Sequence, residues 1–378
     1  PEMSRGLGDV YKRQHVALIL ISLMLLSLIG CGKPASTDTT TTTEAAVTEA
    51  PAASISDAAT TADSTPADAS EEDSDAQTIY PVTVTDQAGR EVTIEKEPES
   101  IVSGYYISTS LLLALGLKDK VTGIEAKASK RPIYKLAAPE FLELPNVGTA
   151  KEFDLETCAS LSPELVILPM KLKNAAQSLS ELDIPVLLVN PESEAQLEQM
   201  IELVSTATNT KENADALLSY IDEKKEMLEK DLSGVDAKSV YLAGNSSLLS
   251  TAGPAMYQSG LIELASGKNA ASEITDTYWA EISYEQLLAW DPSYIILASD
   301  AEYTPEDVLN DENLKECTAV KNGNVYAIPG DIEALDSPVP GGILASIWLA
   351  GILHPDQVSA DMYTEEKAAF YETFYGIK

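Results

Sequence analysis

One amphipathic stretch, Asn209 to Leu232 (NTKENADALLSYIDEKKEMLEKDL), limits what this chain can fold into. Ala214, Leu217, Leu218, Ile221, Leu228 and Leu232 recur with a period of about 3.6 residues, which predicts a helix with one apolar face. Asn209, with Glu212 three positions later, has the form of a capping box at its start. At a rise of about 1.5 Å per residue the helix would be roughly 35 Å long. A rod of that length can join two folded halves.

The segments on either side of the rod echo each other. Asp154 to Leu168 reads DLETCASLSPELVIL, and Ser283 to Leu297 reads SYEQLLAWDPSYIIL. At a constant offset Glu156 meets Glu285, Ala159 meets Leu288, Pro163 meets Pro292, and Val166-Ile167-Leu168 meets Ile295-Ile296-Leu297. Each copy predicts a capped helix, a proline turn and a short buried strand. Ser283 and Gln286 have capping-box spacing. Two similarly built lobes joined by one helix account for the pattern.

The N-terminal part is of a different kind. Lys12 and Arg13 precede the apolar run His15 to Ile29, which is shorter than the about 20 residues a spanning helix needs and fits a secretory signal over 1–30. It ends Leu28-Ile29-Gly30-Cys31, which resembles a bacterial lipoprotein signal. That resemblance makes Cys31 the lipidated N-terminus of the mature chain and puts the protein outside the cytoplasm. Residues 31–78 are rich in threonine, alanine, serine and aspartate, with too few large apolar groups to offset the entropy of ordering them. They read as a leash on the outer face of a membrane, suited to a cell without an outer membrane. Beyond Cys31 only Cys158 and Cys317 remain, without paired spacing, and both are expected to be free thiols.

From Tyr80 onward strands and helices alternate. Val82–Thr85 and Val92–Ile94 flank a hairpin turn at Asp86 to Gly89. Strands follow at 101–103, 121–124, 166–168, 186–189, 240–242, 295–297 and 325–328. Helices are predicted between them and at 340–353 and 364–374. The expected fold class is α/β, with two parallel-sheet lobes of three layers each, 79–207 and 234–378. The helix at 208–233 joins them, with a ligand cleft between.

In α/β lobes ligands sit beyond the carboxyl ends of the strands. That rule selects Tyr105 and Tyr106 after the 101–103 strand, Lys171 and Lys173 after the first echo strand, and Asn245 after the 240–242 strand. It also selects Asp300, which is the echo counterpart of Lys171. Lys151 with Thr149 precedes the first echo, Tyr278 and Trp279 precede the second, and Asp336 lies before the apolar helix at 340–353. Arg131 follows Lys130 on what reads as a surface turn. The chain carries a formal charge of −35, which argues against nucleic acid or an anionic membrane surface as partners. A local lysine cluster at the strand ends would favour an anionic ligand met by Lys151, Lys171 and Lys173, with aromatic rings against its apolar part. On that reading, replacing both Lys171 and Lys173 with alanine weakens binding at least about tenfold.

VTVTDQAGREVTI, IVSGYY, LLLALGLKDKVTGI, PNVGTAKEFDLE, LSPELVIL, LIELASGKN, ISYEQLLAWDPSYIIL and AVKNGNVYAIP, in that order, resemble the substrate-binding proteins of bacterial ABC importers for metal chelates. The resemblance covers nearly all of 80–378. It implies two lobes bridged by one helix, a small-molecule ligand such as an iron–siderophore, haem or corrinoid, and a membrane permease as partner. The chain is expected to be a monomer without a cofactor. A bare oxoanion remains an alternative cargo, and a surface sensor or adhesin an alternative role. In the family the first helix of each lobe usually carries an acidic residue facing the permease; the matching positions here are Ser110 and Gly260, with Glu263 nearby. The sequence contains no HExxH, GxSxG, phosphate-cradling glycine loop or Cys/His cluster, so no enzymatic chemistry is indicated.

Overall fold

The computed structural model describes residues Gln77 to Lys378, apart from Asp276. The signal segment, Cys31 and nearly all of the leash lie outside the described residues.

Strand β1 (Val82–Thr85) pairs antiparallel with β2 (Glu91–Ile94). The Asp86 carboxylate closes their turn by accepting from the backbone N–H groups of Ala88, Arg90 and Leu188 and from the Arg90 guanidinium. Arg90 also donates to the Val186 carbonyl, which ties the hairpin to the first lobe. That lobe is a four-stranded parallel sheet, in the order β4 (Val121–Ile124), β3 (Ile101–Ser103), β5 (Leu165–Pro169), β6 (Val186–Val189). The second lobe repeats it, in the order β12 (Val325–Ala327), β11 (Tyr294–Leu297), β7 (Lys238–Ala243), β9 (Gly267–Asn269). A separate antiparallel pair joins β8 (Ser250–Ala252) to β10 (Trp279–Glu281).

Because side chains alternate across a strand, each sheet feeds two cores. In the first lobe Leu165 and Ile167 point to one face and Val166 and Leu168 to the other, where Cys158, Ala176 and Leu179 cover them. In the second, Val240, Leu242 and Ile296 face one way, and Tyr241, Ile295 and Leu297 pack on Leu287, Val308 and Cys317. Both lobes therefore have the three-layer build the echo implied. Its two members are equivalent in detail: Cys158 and Leu287 are both fully buried, ahead of β5 and β11, which lie inside their sheets. Cys158 and Cys317 are unpaired, and burial pushes the Cys158 thiol up to about 12.

The rod is a 21-residue helix, Lys211–Asp231, joining the two sheets. It buries Ala214, Leu217, Ile221 and Leu228, and these residues belong to the same apolar cluster as the inner faces of both sheets. Lys224 falls in that stripe as well. Its ammonium is satisfied by Glu366 at 2.9 Å and Glu223 at 3.0 Å, which pins the last helix, Ala360–Tyr375, to the rod. The start of the rod differs from the sequence reading. Thr210 precedes it, and Asn209 instead ends the preceding helix, Glu194–Thr208, in the left-handed conformation. The Asn209 amide accepts from the Thr78 N–H and donates to Glu97, so it is not available to cap. Ser283 makes half of the expected box, accepting from the Gln286 N–H.

Gly148 has φ +86°, and a Cβ there would lie 2.1 Å from the Glu152 carbonyl oxygen. It shapes the tight turn that carries Thr149 and Lys151. Gly148→Ala is expected to cost about 2 kcal/mol or more, read as a lowered denaturation midpoint in urea; an unchanged midpoint would show that the turn can relax.

Candidate functional site

Four strand ends converge where the lobes meet. From the first lobe come Tyr106 and Ser110, on the helix Tyr106–Ala114 after β3, and residues 130–134 after β4. From the second come Asp300 after β11 and the segment from Gly330 to Val339 after β12. Together they line a cavity of about 30 Å³, room for one or two waters or a small ion, within a more open cleft. The lobes touch beside it: the Ile133 N–H donates to the Ile332 carbonyl at 3.1 Å, and the Tyr106 hydroxyl to the Ser337 hydroxyl at 2.7 Å.

The cation in this cavity is Arg131. Its guanidinium lies 4.0 Å above the Tyr106 ring, a stacked arrangement that favours a planar cation. Among the described residues no carboxylate comes within 4.0 Å of it, so its N–H fork is free to meet a ligand. Pro132 fixes the first turn of the next helix, Pro132–Ala137, and this aims the preceding arginine at the cleft.

Two buried carboxyls flank it. Glu125, next after β4, accepts from the hydroxyls of Tyr134 at 2.6 Å and Thr109 at 2.7 Å, and burial raises its pKa above the ordinary carboxylate range. Glu333 accepts from Ser110 and from Tyr371 at 3.2 Å. Burial pushes it up to about 7, against the pull of those two hydrogen bonds and of the Arg131 charge. A raised acid favours its protonated form in the fold. Its stabilising contribution is therefore complete below the ordinary value of 4.5 and is lost as pH rises from there to about 7. Over that window the loss should be of order 3 kcal/mol. Subtracting the stability–pH curve of Glu333→Gln from that of the unchanged protein should isolate it. A flat difference curve would mean that Glu333 titrates normally.

Of the residues selected from sequence, Tyr106 and Asp300 line the cavity. Tyr105 packs edge-on against Tyr106, with ring centroids 5.4 Å apart. Asp336 is buried behind Asp300 and accepts from the Ser299 hydroxyl. Lys151, Lys171 and Lys173 are exposed and lie outside the cavity, at the β5 side of the first lobe. Asn245 is exposed after β7, and its carbonyl accepts from the Glu302 N–H. Trp279, 39% exposed, covers Gly244 beside it, and Tyr278 is more exposed still. Neither Glu125 nor Glu333 is among the residues selected from sequence; Glu125 directly follows β4, and Glu333 lies in the loop beyond β12. Ser110, the match to the family's permease-facing position, is buried at the cavity and cannot face a partner.

Residues 101–332 match the family described as periplasmic binding protein, well over half of the chain. The chain belongs to that family. It is a substrate-binding protein of an ABC transporter, a family of binding proteins rather than enzymes. It is 27% identical to the uncharacterized ABC transporter substrate-binding lipoprotein YvrC of Bacillus subtilis, over 71% of this chain and 86% of that one. It is 24% identical to the molybdate-binding protein MolA of Haemophilus influenzae, over 77% and 90%. The fold of a periplasmic solute binding protein from Veillonella parvula superposes with a TM-score of 0.70 at 26% identity, covering 79% of this chain and 93% of that one. Family membership gives this binding protein a small-molecule ligand and a permease as its partners. Among the described residues no helix is long and apolar enough to cross a membrane.

Proposed function

We propose that this chain is an extracytoplasmic lipoprotein, anchored through Cys31, that captures a metal chelate by an anionic group and delivers it to an ABC permease. Lobes 79–207 and 234–378, tied by the rod at 208–233, would close on the cargo by a small motion, since a packed helix bends less than a pair of hinged strands. The single observation that carries this reading is the unpaired Arg131 guanidinium, stacked on Tyr106 where both lobes meet. A planar fork of N–H donors suits a carboxylate or hydroxamate edge of a chelate. The exposed Tyr278–Trp279 pair, on the second lobe, supplies apolar surface for the rest of such a molecule. A second reading, a bare oxoanion as cargo, has its own support in the small cavity and in the similarity to a molybdate-binding protein. Delivery would use the outer face around Gly260, where Glu194, Glu229 and Glu263 line a groove and a Cβ would meet nothing.

Thermal denaturation of the purified protein with ferric siderophores, haem, cobalamin and molybdate, each against Arg131→Ala, tests the reading. A midpoint raised by one chelate, and not in the variant, is the expected result. Stabilisation by molybdate alone would favour the second reading, and no response to any of them would defeat both.

A further inference from the structure

We infer that the cleft selects a singly charged anionic group over a doubly charged one, with Glu333 as the residue that sets the preference. This rests on the reading of Arg131 as the anion anchor and narrows the class of cargo. The cavity wall carries one inward cation, Arg131; the other basic residue on it, Lys130, is exposed to solvent. Against that single charge stand two carboxyls on the same wall, Glu333 and Asp300, with Glu125 behind. Arg131 lies within electrostatic reach of both Glu125 and Glu333 but forms an ion pair with neither. Its fork thus stays open while its field is already partly offset.

One negative charge can be taken up by the open Arg131 fork. A second negative charge on the ligand finds no cation and faces a carboxylate across a cavity of about 30 Å³, where water is too sparse to screen like charges. Glu333 is held by two hydrogen bonds from different elements, Ser110 of the first lobe and Tyr371 of the last helix, which resist its swinging away to relieve the repulsion. Asp300, exposed at the rim, is a weaker contributor because solvent screens it.

Perrhenate and tungstate test this directly, because they are tetrahedral oxoanions of nearly equal size that differ by one charge. Isothermal titration of the purified full chain at alkaline pH should show perrhenate binding at least about tenfold more tightly than tungstate. In Glu333→Gln, which keeps the shape and removes the charge, the ratio should fall to about threefold or less. Asp300→Asn, which leaves the buried cluster intact, should narrow it by a smaller factor. A merely structural role for Glu333 would weaken both anions together and leave the ratio alone, which would overturn the assignment. Tungstate binding as tightly as perrhenate, and lost in Arg131→Ala, would overturn the selection while sparing the anchor. Binding of neither anion, or binding indifferent to Arg131→Ala, would remove the anchor and the selection together.

Discussion

Arg131→Ala is expected to lower the affinity for an anionic ligand about 100-fold, with little change in the stability of the unliganded protein. The size follows from what is lost. A bidentate, charge-assisted pair in a partly desolvated site contributes about 3 kcal/mol, and about 1.4 kcal/mol is a factor of ten in affinity. Stability should change little because the guanidinium makes no ion pair within the described residues; it gives up its contact with the Tyr106 ring, worth about 1 kcal/mol, and its longer-range attraction for the buried Glu125 and Glu333. Titration calorimetry and thermal denaturation on the same samples separate the two effects. The double variant Lys171→Ala/Lys173→Ala is the control with an opposite expectation. Both lysines are exposed and outside the cavity, so the geometry predicts a change of less than about threefold. A tenfold loss in that variant, with Arg131→Ala unaffected, would return the site to the β5 side of the lobe.

Ile221→Pro should be the most damaging single change to the fold. Ile221 is 3% exposed near the middle of the 21-residue rod, so proline there removes a helix hydrogen bond, clashes with the preceding turn and empties part of the shared core. The backbone costs about 3 kcal/mol and the lost burial about 2 kcal/mol more. For a domain of this size that is roughly 10 °C in Tm. Calorimetry should also show the two lobes unfolding less cooperatively, because the cluster that contains Ile221 includes residues of both sheets. A shift within about 2 °C would mean that the rod is an accessory and not the joint.

Much of the architecture could be read from the residues because the signals were local and repeated. The proline turns at Pro163 and Pro292, each ahead of a three-residue aliphatic run, mark the strands β5 and β11. The apolar period at Ala214, Leu217, Ile221 and Leu228 marks the rod. Asn209 departs from the expected cap because the same side chain suits a helix end as well as a helix start; its left-handed φ of 57° is decided by the helix before it and by Glu97 and Thr78, which are remote in sequence. Arg131 looked like a surface residue for a related reason. Pro132 fixes the turn beside it, but the cleft it faces exists only once the Ile133 N–H meets the Ile332 carbonyl of the other lobe, which no local pattern encodes. Lys224 was invisible as a core residue because its burial depends on Glu366 in the last helix. Glu125, by contrast, directly follows β4 and is within reach of the rule that selects Tyr105 and Asp300, whereas Glu333 lies deep in the loop beyond β12.

The account as a whole turns on where an anion lodges, and rhenium scatters X-rays anomalously enough to be located without ambiguity. A crystal of the protein soaked in perrhenate should give its strongest anomalous peak within about 4 Å of the Arg131 guanidinium, between the two lobes and against Tyr106. A peak beside Lys171 and Lys173 instead, or a cleft empty of rhenium, would contradict it.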